Sequence, residues 1–451
     1  MSDSQTDMTH GPLTGKIIAF ALPYALSGIV EQLFNSINIA VVGHFADSHA
    51  LAAVGATTFL ISLIINLFMG ISIGANAVIA NYIGRRERLG IRKAVSTTIT
   101  LAVIIGFMLM AVGIAVSAPM LRLLNTPAEV LGDATLYLRI YFIGAPFFVM
   151  YNFAAAILRS KGDTKSPLYI LIIGGVINAG MSMLLVIAFK LSVAGVATAT
   201  TMANLSCAAA VVQKLRHENG DFRVTMKKMH IYREDMRRIL MIGLPAGLQG
   251  MVFALSNVFV QSAVNSYGYA AIAGTSICVT FDTYCYYLLS AFCAAAITFT
   301  GQNYGAGHTD RCNRIFRICL LFGWGSCFVG NMLFYIFADQ ALALFTVDPK
   351  VIYYAKWRIA TALVFQSIAA GYEVPAAAMR GFGQSLTPAL LTILGTCVLR
   401  LAWIFLVHPY WPGYGHLMLC YPLSWAATSL LVGTTYFFAR RKAYAVLQAN
   451  T

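Results

Sequence analysis

The chain has 451 residues, of which 59% are hydrophobic and 11% charged, and its formal net charge is +14. This excludes an ordinary soluble domain, where about a quarter of residues carry charge. The basic excess does not indicate nucleic acid either, because Lys and Arg alternate by loop and no nucleic-acid-reading module accompanies them.

Apolar blocks follow one another, each long enough to cross a hydrocarbon layer, which takes about 20 residues. We read twelve spans, at roughly 17–42, 53–80, 94–116, 134–158, 168–188, 193–213, 239–264, 272–299, 315–337, 357–379, 389–407 and 417–438. The polar first ten residues and the long first span predict no cleavable signal peptide. With span flanks included, 24 of the 31 Lys and Arg collect on one side of the spans. The positive-inside rule makes that side cytoplasmic and places both termini there.

The longest polar stretch, 214–238, divides the chain into an N-terminal six-span lobe (1–213), a cytoplasmic basic linker (214–238) and a C-terminal six-span lobe (239–451). The halves repeat one another. Leu22-Pro23 returns as Leu244-Pro245, Asn35 as Asn257 and Asn81-Tyr82 as Asn303-Tyr304, each 222 residues later; Arg159, Gly162 and Pro167 return as Arg380, Gly383 and Pro388 at an offset of 221. Six spans per copy gives the copies the same orientation, so the expected pseudo-two-fold axis runs along the membrane normal, with a substrate cavity between the halves.

In span 1, Pro23 supplies a place to bend, and Glu31, Asn35 and Asn38 share one face at i, i+4, i+7. A carboxylate inside the membrane is costly, by a few kcal/mol on insertion scales, and defaults to a functional role. Span 4 carries Pro146, Phe147, Phe148, Tyr151 and Asn152; span 5 carries Gly174-Gly175 and Asn178; span 7 opens with Pro245. Proline and glycine here are read as interruptions of the spans. Span 8 holds Asp282 amid Phe281, Tyr284, Tyr286 and Tyr287, rings suited to flat cations when they face a cavity. Asp282 and Arg400 of span 11 lie at similar depth, which predicts either an ion pair between them or a cation or substrate site. Glu373, Pro375 and Arg380 close span 10 at its inner end. Cys278, Cys285 and Cys293 form one helical stripe and Cys312, Cys319 and Cys327 another, read as small residues in a helix seam. The eight His show no metal-ligand spacing.

Several of these residues occur in motifs: Leu22-Pro23, Phe34-Asn35, Val42-Gly43-His44-Phe45, the runs Ala50 to Gly55 and Gly301 to Gly307, and the run Met379 to Gly383. Over roughly residues 13–440 the sequence thereby resembles the multidrug and toxic compound extrusion (MATE) family of cation-coupled efflux transporters. The resemblance implies two six-helix lobes that alternate access, and export of lipophilic, usually cationic compounds against inward H⁺ or Na⁺. It also implies a monomer. The pattern departs at the ion site. Many members carry an Asp three residues after the first-span Asn and another four residues after the fifth-span Asn; here these positions are Asn38 and Ser182. A Glu that another branch carries in span 7 is replaced by Ala254 or Leu255. Glu31 is the candidate replacement, displaced from Asn38 by seven residues, about 10 Å along a helix.

The expectation is an all-α integral membrane protein of twelve transmembrane helices in two pseudo-two-fold-related six-helix lobes. It acts as an antiporter in the bacterial inner membrane, with H⁺ or Na⁺ as coupling ion, no cofactor, no resident metal and no enzymatic step. The coupling candidates are Glu31, Asn35, Asn38, Asn152, Asn178, Asp282 and Glu373. The cavity candidates are Phe147, Tyr151, Tyr284, Tyr287 and Arg400, and Pro23, Pro245 and Pro375 are the kink candidates. The rival readings are a flippase for a lipid-linked precursor, a lipid-modifying membrane enzyme, for which clustered interfacial nucleophiles are missing, and a non-transporting sensor.

Overall fold

A computed structural model describes residues 7–45, 48–124, 126–218, 220–225 and 229–449. Residues 219 and 226–228 of the expected linker lie outside the described residues, as do the side chains of His49 and Leu51. The described residues form helices and no β-strand.

The chain divides into two compact units. One is Leu26–Leu240; the other is Met241–Thr451 together with Met1–Ala25, so helix α1 (Leu13–Phe45) begins in the second unit and continues into the first. The first unit holds the rest of α1, then α2 (Ser48–Gly84), α3 (Arg88–Leu123), α4 (Ala128–Ile143), α5 (Ala145–Ser160), α6 (Lys165–Met183) and α7 (Ser192–Arg216). Helix α8 (Arg233–Asn265) starts in the first unit and continues into the second. The second unit adds α9 (Tyr269–Gly305), α10 (Thr309–Ile336), α11 (Ala338–Ala343), α12 (Pro349–Arg358), α13 (Ala370–Gly381), α14 (Leu386–Thr392), α15 (Leu399–Ala402), α16 (Tyr414–Met418) and α17 (Cys420–Ala449).

Among the described residues ten helices are long and apolar enough to cross a membrane, or eleven with α4 and α5 counted as one bent span. The bend is 45° at Gly144, where Pro146 in the first turn of α5 removes a backbone donor. The expected span 357–379 contains no helix of that length. It is built from the end of α12, a π-helical turn (Ile359–Leu363), a 3₁₀ turn (Gln366–Ala369) and α13. Further π-helical turns sit at Leu184–Ala188, Ile393–Val398 and Trp403–Val407. Contrary to the expected interruptions, helix runs without a break through Pro23, Pro245, Pro375 and Gly174-Gly175.

The glycines of α6 serve close packing instead. A Cβ on Gly174 would lie 2.1 Å from Cys207 Sγ, and one on Gly175 would lie 1.7 Å from the Phe34 ring. The second unit repeats the first contact: a Cβ on Gly395 would lie 2.5 Å from Thr428 Oγ1, and both partners are 221 residues on. Small residues let helix backbones approach where apolar burial gives no drive between lipid-exposed helices. The cysteine stripes fit the same reading: α9 packs along α10, and Cys278, Cys285, Cys312, Cys319 and Cys327 are all buried thiols.

The stretches leading into α1 and α8 are each fixed by backbone hydrogen bonds. Before α8, His230 N donates to Ser96 Oγ at 2.9 Å and Tyr232 N donates to Thr97 Oγ1 at 3.1 Å, all within the first unit. Before α1, Met8 O accepts from Asn303 Nδ2 at 3.1 Å and from Arg311 Nη2 at 3.2 Å, and Gly11 O accepts from Arg311 Nη1 at 3.1 Å, all within the second unit.

Candidate functional site

In the first unit α1 presents Glu31 and Asn35 on an exposed face, with Asn38 half-buried below them. Arg159 at the end of α5 is the cation acting electrostatically on Glu31. Ser182 Oγ donates to Asn38 Oδ1 at 3.0 Å, so the two positions where the MATE pattern has acids face one another as a neutral pair. Asn178 Nδ2 donates to Thr200 Oγ1 at 3.1 Å, while its Oδ1 is buried without a hydrogen-bond donor. That orphan oxygen is an acceptor of the kind a cation or a protonated group satisfies. Asn152 is buried and bonds back to Phe148 O at 3.0 Å. Tyr151 is also buried, its hydroxyl donating to Pro167 O at 3.1 Å, and Phe147 is half-buried.

The second unit corrects the ion pair expected from sequence. Asp282 pairs with Arg358 of α12, Nη2 to Oδ2 at 2.7 Å, and not with Arg400. The Arg358 side chain is 3% exposed and that of Asp282 18%. Gln366 Nε2 donates to the Asp282 carbonyl at 2.8 Å, so the broken stretch after α12 supports the pair from a second point. Arg400 has other partners: Nε donates to Ser424 Oγ and Nη1 to Asn257 Oδ1, each at 3.1 Å. Its guanidinium carbon lies 4.4 Å from the Tyr421 ring centroid, 5.1 Å from Phe253 and 5.8 Å from Trp425. Reasoning from sequence missed Arg358, which falls at the very edge of an apolar block.

Glu373 is half-buried on α13, seven residues before Arg380, the cation acting on it. Arg380 is buried and donates to Gln249 Oε1 at 2.7 Å. At the offset that relates Arg159 to Arg380, Glu373 takes the place of Asn152. At the offset that relates Asn35 to Asn257, Phe253 takes the place of Glu31. Tyr284 and Tyr287 are half-buried on α9, whereas Phe281 is buried and stacks on Phe334 at 4.4 Å. Among the described residues no three His, Cys, Asp or Glu side chains converge as metal ligands.

The repeat reappears in comparison with known proteins. The model of the MatE family matches residues 23–184 and 245–406, two stretches of equal length that open on Pro23 and Pro245, 222 residues apart. The chain belongs to the MATE family. A probable multidrug resistance protein, YoeA of Bacillus subtilis, is 26% identical over 441 residues, covering 94% of this chain and 93% of the relative. YpnP of the same organism, also described as a probable multidrug resistance protein, is 25% identical, covering 97% and 98%. Among solved structures, an outward-facing multidrug resistance MATE family transporter of the MOP superfamily superposes with a TM-score of 0.90 at 21% identity, covering all of both chains. This MATE protein is therefore a multi-pass membrane protein of the transporter fold.

Proposed function

We propose that this protein is a secondary active efflux transporter that exports lipophilic, cationic drugs or metabolites in exchange for H⁺ or Na⁺, with no enzymatic step. It works as a monomer in the bacterial inner membrane, both termini cytoplasmic. The names of its relatives as multidrug resistance proteins support the cargo class. The observation that carries the coupling is Glu31: an exposed carboxylate on the α1 face that also presents Asn35, one turn away, above a neutralised Asn38–Ser182 pair. An acid at this depth takes up a proton, or binds a cation with amide help, because its charged form is costly when desolvated. Asn178, Asn152, Glu373 and Asp282 are second-rank candidates for the same ion, and Pro23, Pro245 and Pro375 for helix bending.

Ethidium counterflow in proteoliposomes, with H⁺ and Na⁺ gradients imposed separately, tests this. Wild-type flux follows one of the two gradients, and Glu31→Gln makes flux indifferent to that gradient while ethidium still binds. Gradient-driven flux that survives in the variant removes Glu31 from the mechanism. A second reading, flipping of a lipid-linked anionic precursor, is favoured by the finding of Arg358 as a second buried guanidinium beside Arg400. It requires headgroup transfer between leaflets, which the same vesicles measure with a fluorescent lipid.

A further inference from the structure

The second unit buries a positive charge that forms no ion pair among the described residues. Arg400 is 0% exposed, and among the described residues no carboxylate lies within ion-pairing distance of it. Its Nη2 is buried with no acceptor. Asp282 is committed to Arg358 at 2.7 Å, and Arg358 Nε is likewise without an acceptor. Both guanidinium groups lie against one ring, 4.4 and 4.9 Å from the Tyr421 centroid, and only Arg358 of the two has a carboxylate partner. Aromatic faces attract cations but do not neutralise them. A buried cation needs a counter-charge.

Two of the side chains over Arg400, Asn257 and Tyr421, carry hydrogen-bond donors. Arginine only donates hydrogen bonds, so Asn257 must turn its Oδ1 toward Nη1, which leaves its Nδ2 hydrogens facing away from Arg400. Asn257, Phe253 and Tyr421 are all half-buried, so they are reachable where Arg400 is not. The first repeat has the opposite polarity at the same place. There, α1 carries Glu31 four residues before Asn35; here, α8 carries Phe253 four residues before Asn257, backed by a guanidinium.

We propose that this face of the second unit binds a monoanionic group on an aromatic frame. A carboxylate accepts from Asn257 Nδ2 and the Tyr421 hydroxyl within the field of Arg400 and Arg358, and its ring lies against Phe253. A halide satisfies the same donors, so the shared chemistry is a single negative charge. The proposal stands apart from the antiport reading, because it concerns binding and Glu31 takes no part in it.

The test uses purified full-length protein in chloride-free sulfate buffer, with equilibrium dialysis of 1-naphthoate against its neutral isostere 1-naphthamide. Naphthoate is expected to bind at least roughly ten-fold tighter, the weight of one charge-assisted hydrogen bond. Asn257→Asp gives Arg400 an internal carboxylate without removing it; this variant is expected to keep its fold and lose naphthoate affinity by roughly ten-fold or more. Arg400→Gln is expected to show the same loss, and Asn257→Asp keeps the test decisive where that variant does not fold. Competition by chloride identifies halides as ligands; its absence restricts the site to organic carboxylates. Equal binding of acid and amide, no binding of naphthoate or chloride, or unchanged naphthoate affinity in Asn257→Asp overturns the proposal.

Discussion

At the scale of single residues, the Asp282–Arg358 pair is the most exacting contact. Removing one member leaves the other buried and uncompensated, which costs about 3–5 kcal/mol, more than most surface changes. Asp282→Asn is therefore expected to lower the thermal midpoint in detergent sharply, and Asp282→Asn combined with Arg358→Gln to recover part of the loss. A loss in the double variant equal to the sum of the singles would show that the two side chains do not act as a pair. The sequence marked Asp282 and Arg400 as costly charges but gave no means of choosing partners. Depth along a span is readable from residue counts; which helices adjoin is not. Arg358 escaped notice because it stands one residue into an apolar block, where a flanking arginine at a lipid interface looks the same.

A second single-residue effect depends on pH. His408, just past the Trp403–Val407 turn, meets Tyr267 OH through Nε2 at 3.0 Å. Burial pushes its pKa below the ordinary value of 6.5, and the neighbouring His416 pushes in the same direction. A depressed histidine binds fewer protons folded than unfolded, so its contribution to stability is present above the unfolded value and is lost as pH falls through it toward the folded one. Thermal midpoints between pH 7.5 and 5.5 should decline, with a shallower slope in His408→Asn. An identical slope in the variant assigns the decline to other groups.

At the scale of helices, the sequence reported where chain crosses lipid and little about what form the crossing takes. Ten of the expected spans appear as continuous helical stretches long enough to cross, with π turns inside those at 168–188 and 389–407, because a run of twenty apolar residues has no alternative in a bilayer. Span 4 appears as two helices bent at Gly144, and Pro146 made that bend legible. The stretch 357–379 is different. Its α, π and 3₁₀ pieces bring Arg358 and Gln366 onto Asp282, which no periodicity in the apolar residues announces. The reading of Gly174-Gly175 as a break was wrong because glycine in a membrane helix marks close approach as often as interruption. Gly174→Ala would set a methyl 2.1 Å from Cys207 Sγ and is expected to cost about 1–3 kcal/mol, as overpacking does. Adding Cys207→Ala removes the clashing sulfur, after which the nearest remaining atom is 3.6 Å away, and should restore most of the stability. A double variant no more stable than Gly174→Ala alone would place the cost in the backbone.

At the scale of the molecule, the duplication was plain from the recurrence of Leu-Pro, Asn-Tyr and Arg-x-x-Gly signatures, and the family match divides the chain at the same spacing. Duplication also left its mark in what the copies no longer share. Phe253 stands at the place of Glu31 and Glu373 at that of Asn152, so neither acid has an acidic counterpart in the other repeat. The fastening of residues 8–11 lies beyond any motif, since it uses their backbone carbonyls. Arg311→Ala removes three hydrogen bonds at once, one to Asn303 and two to that stretch. It is expected to raise deuterium uptake at residues 7–16 severalfold with little change in the first unit; unchanged uptake there would mean that the helix start is held by other contacts.

This fastening bears on how the protein is made. A chain leaves the ribosome amino terminus first, and early segments ordinarily settle before later ones exist. Here Met8 and Gly11 are gripped by side chains some 300 positions downstream, so the oldest part of the nascent chain finds its seat only after most of the polypeptide has been synthesised. Until then only local bonds, such as Lys16 Nζ to His10 O, hold the base of the first helix, and a premature stop before Arg311 deprives it of the bonds that Arg311 supplies.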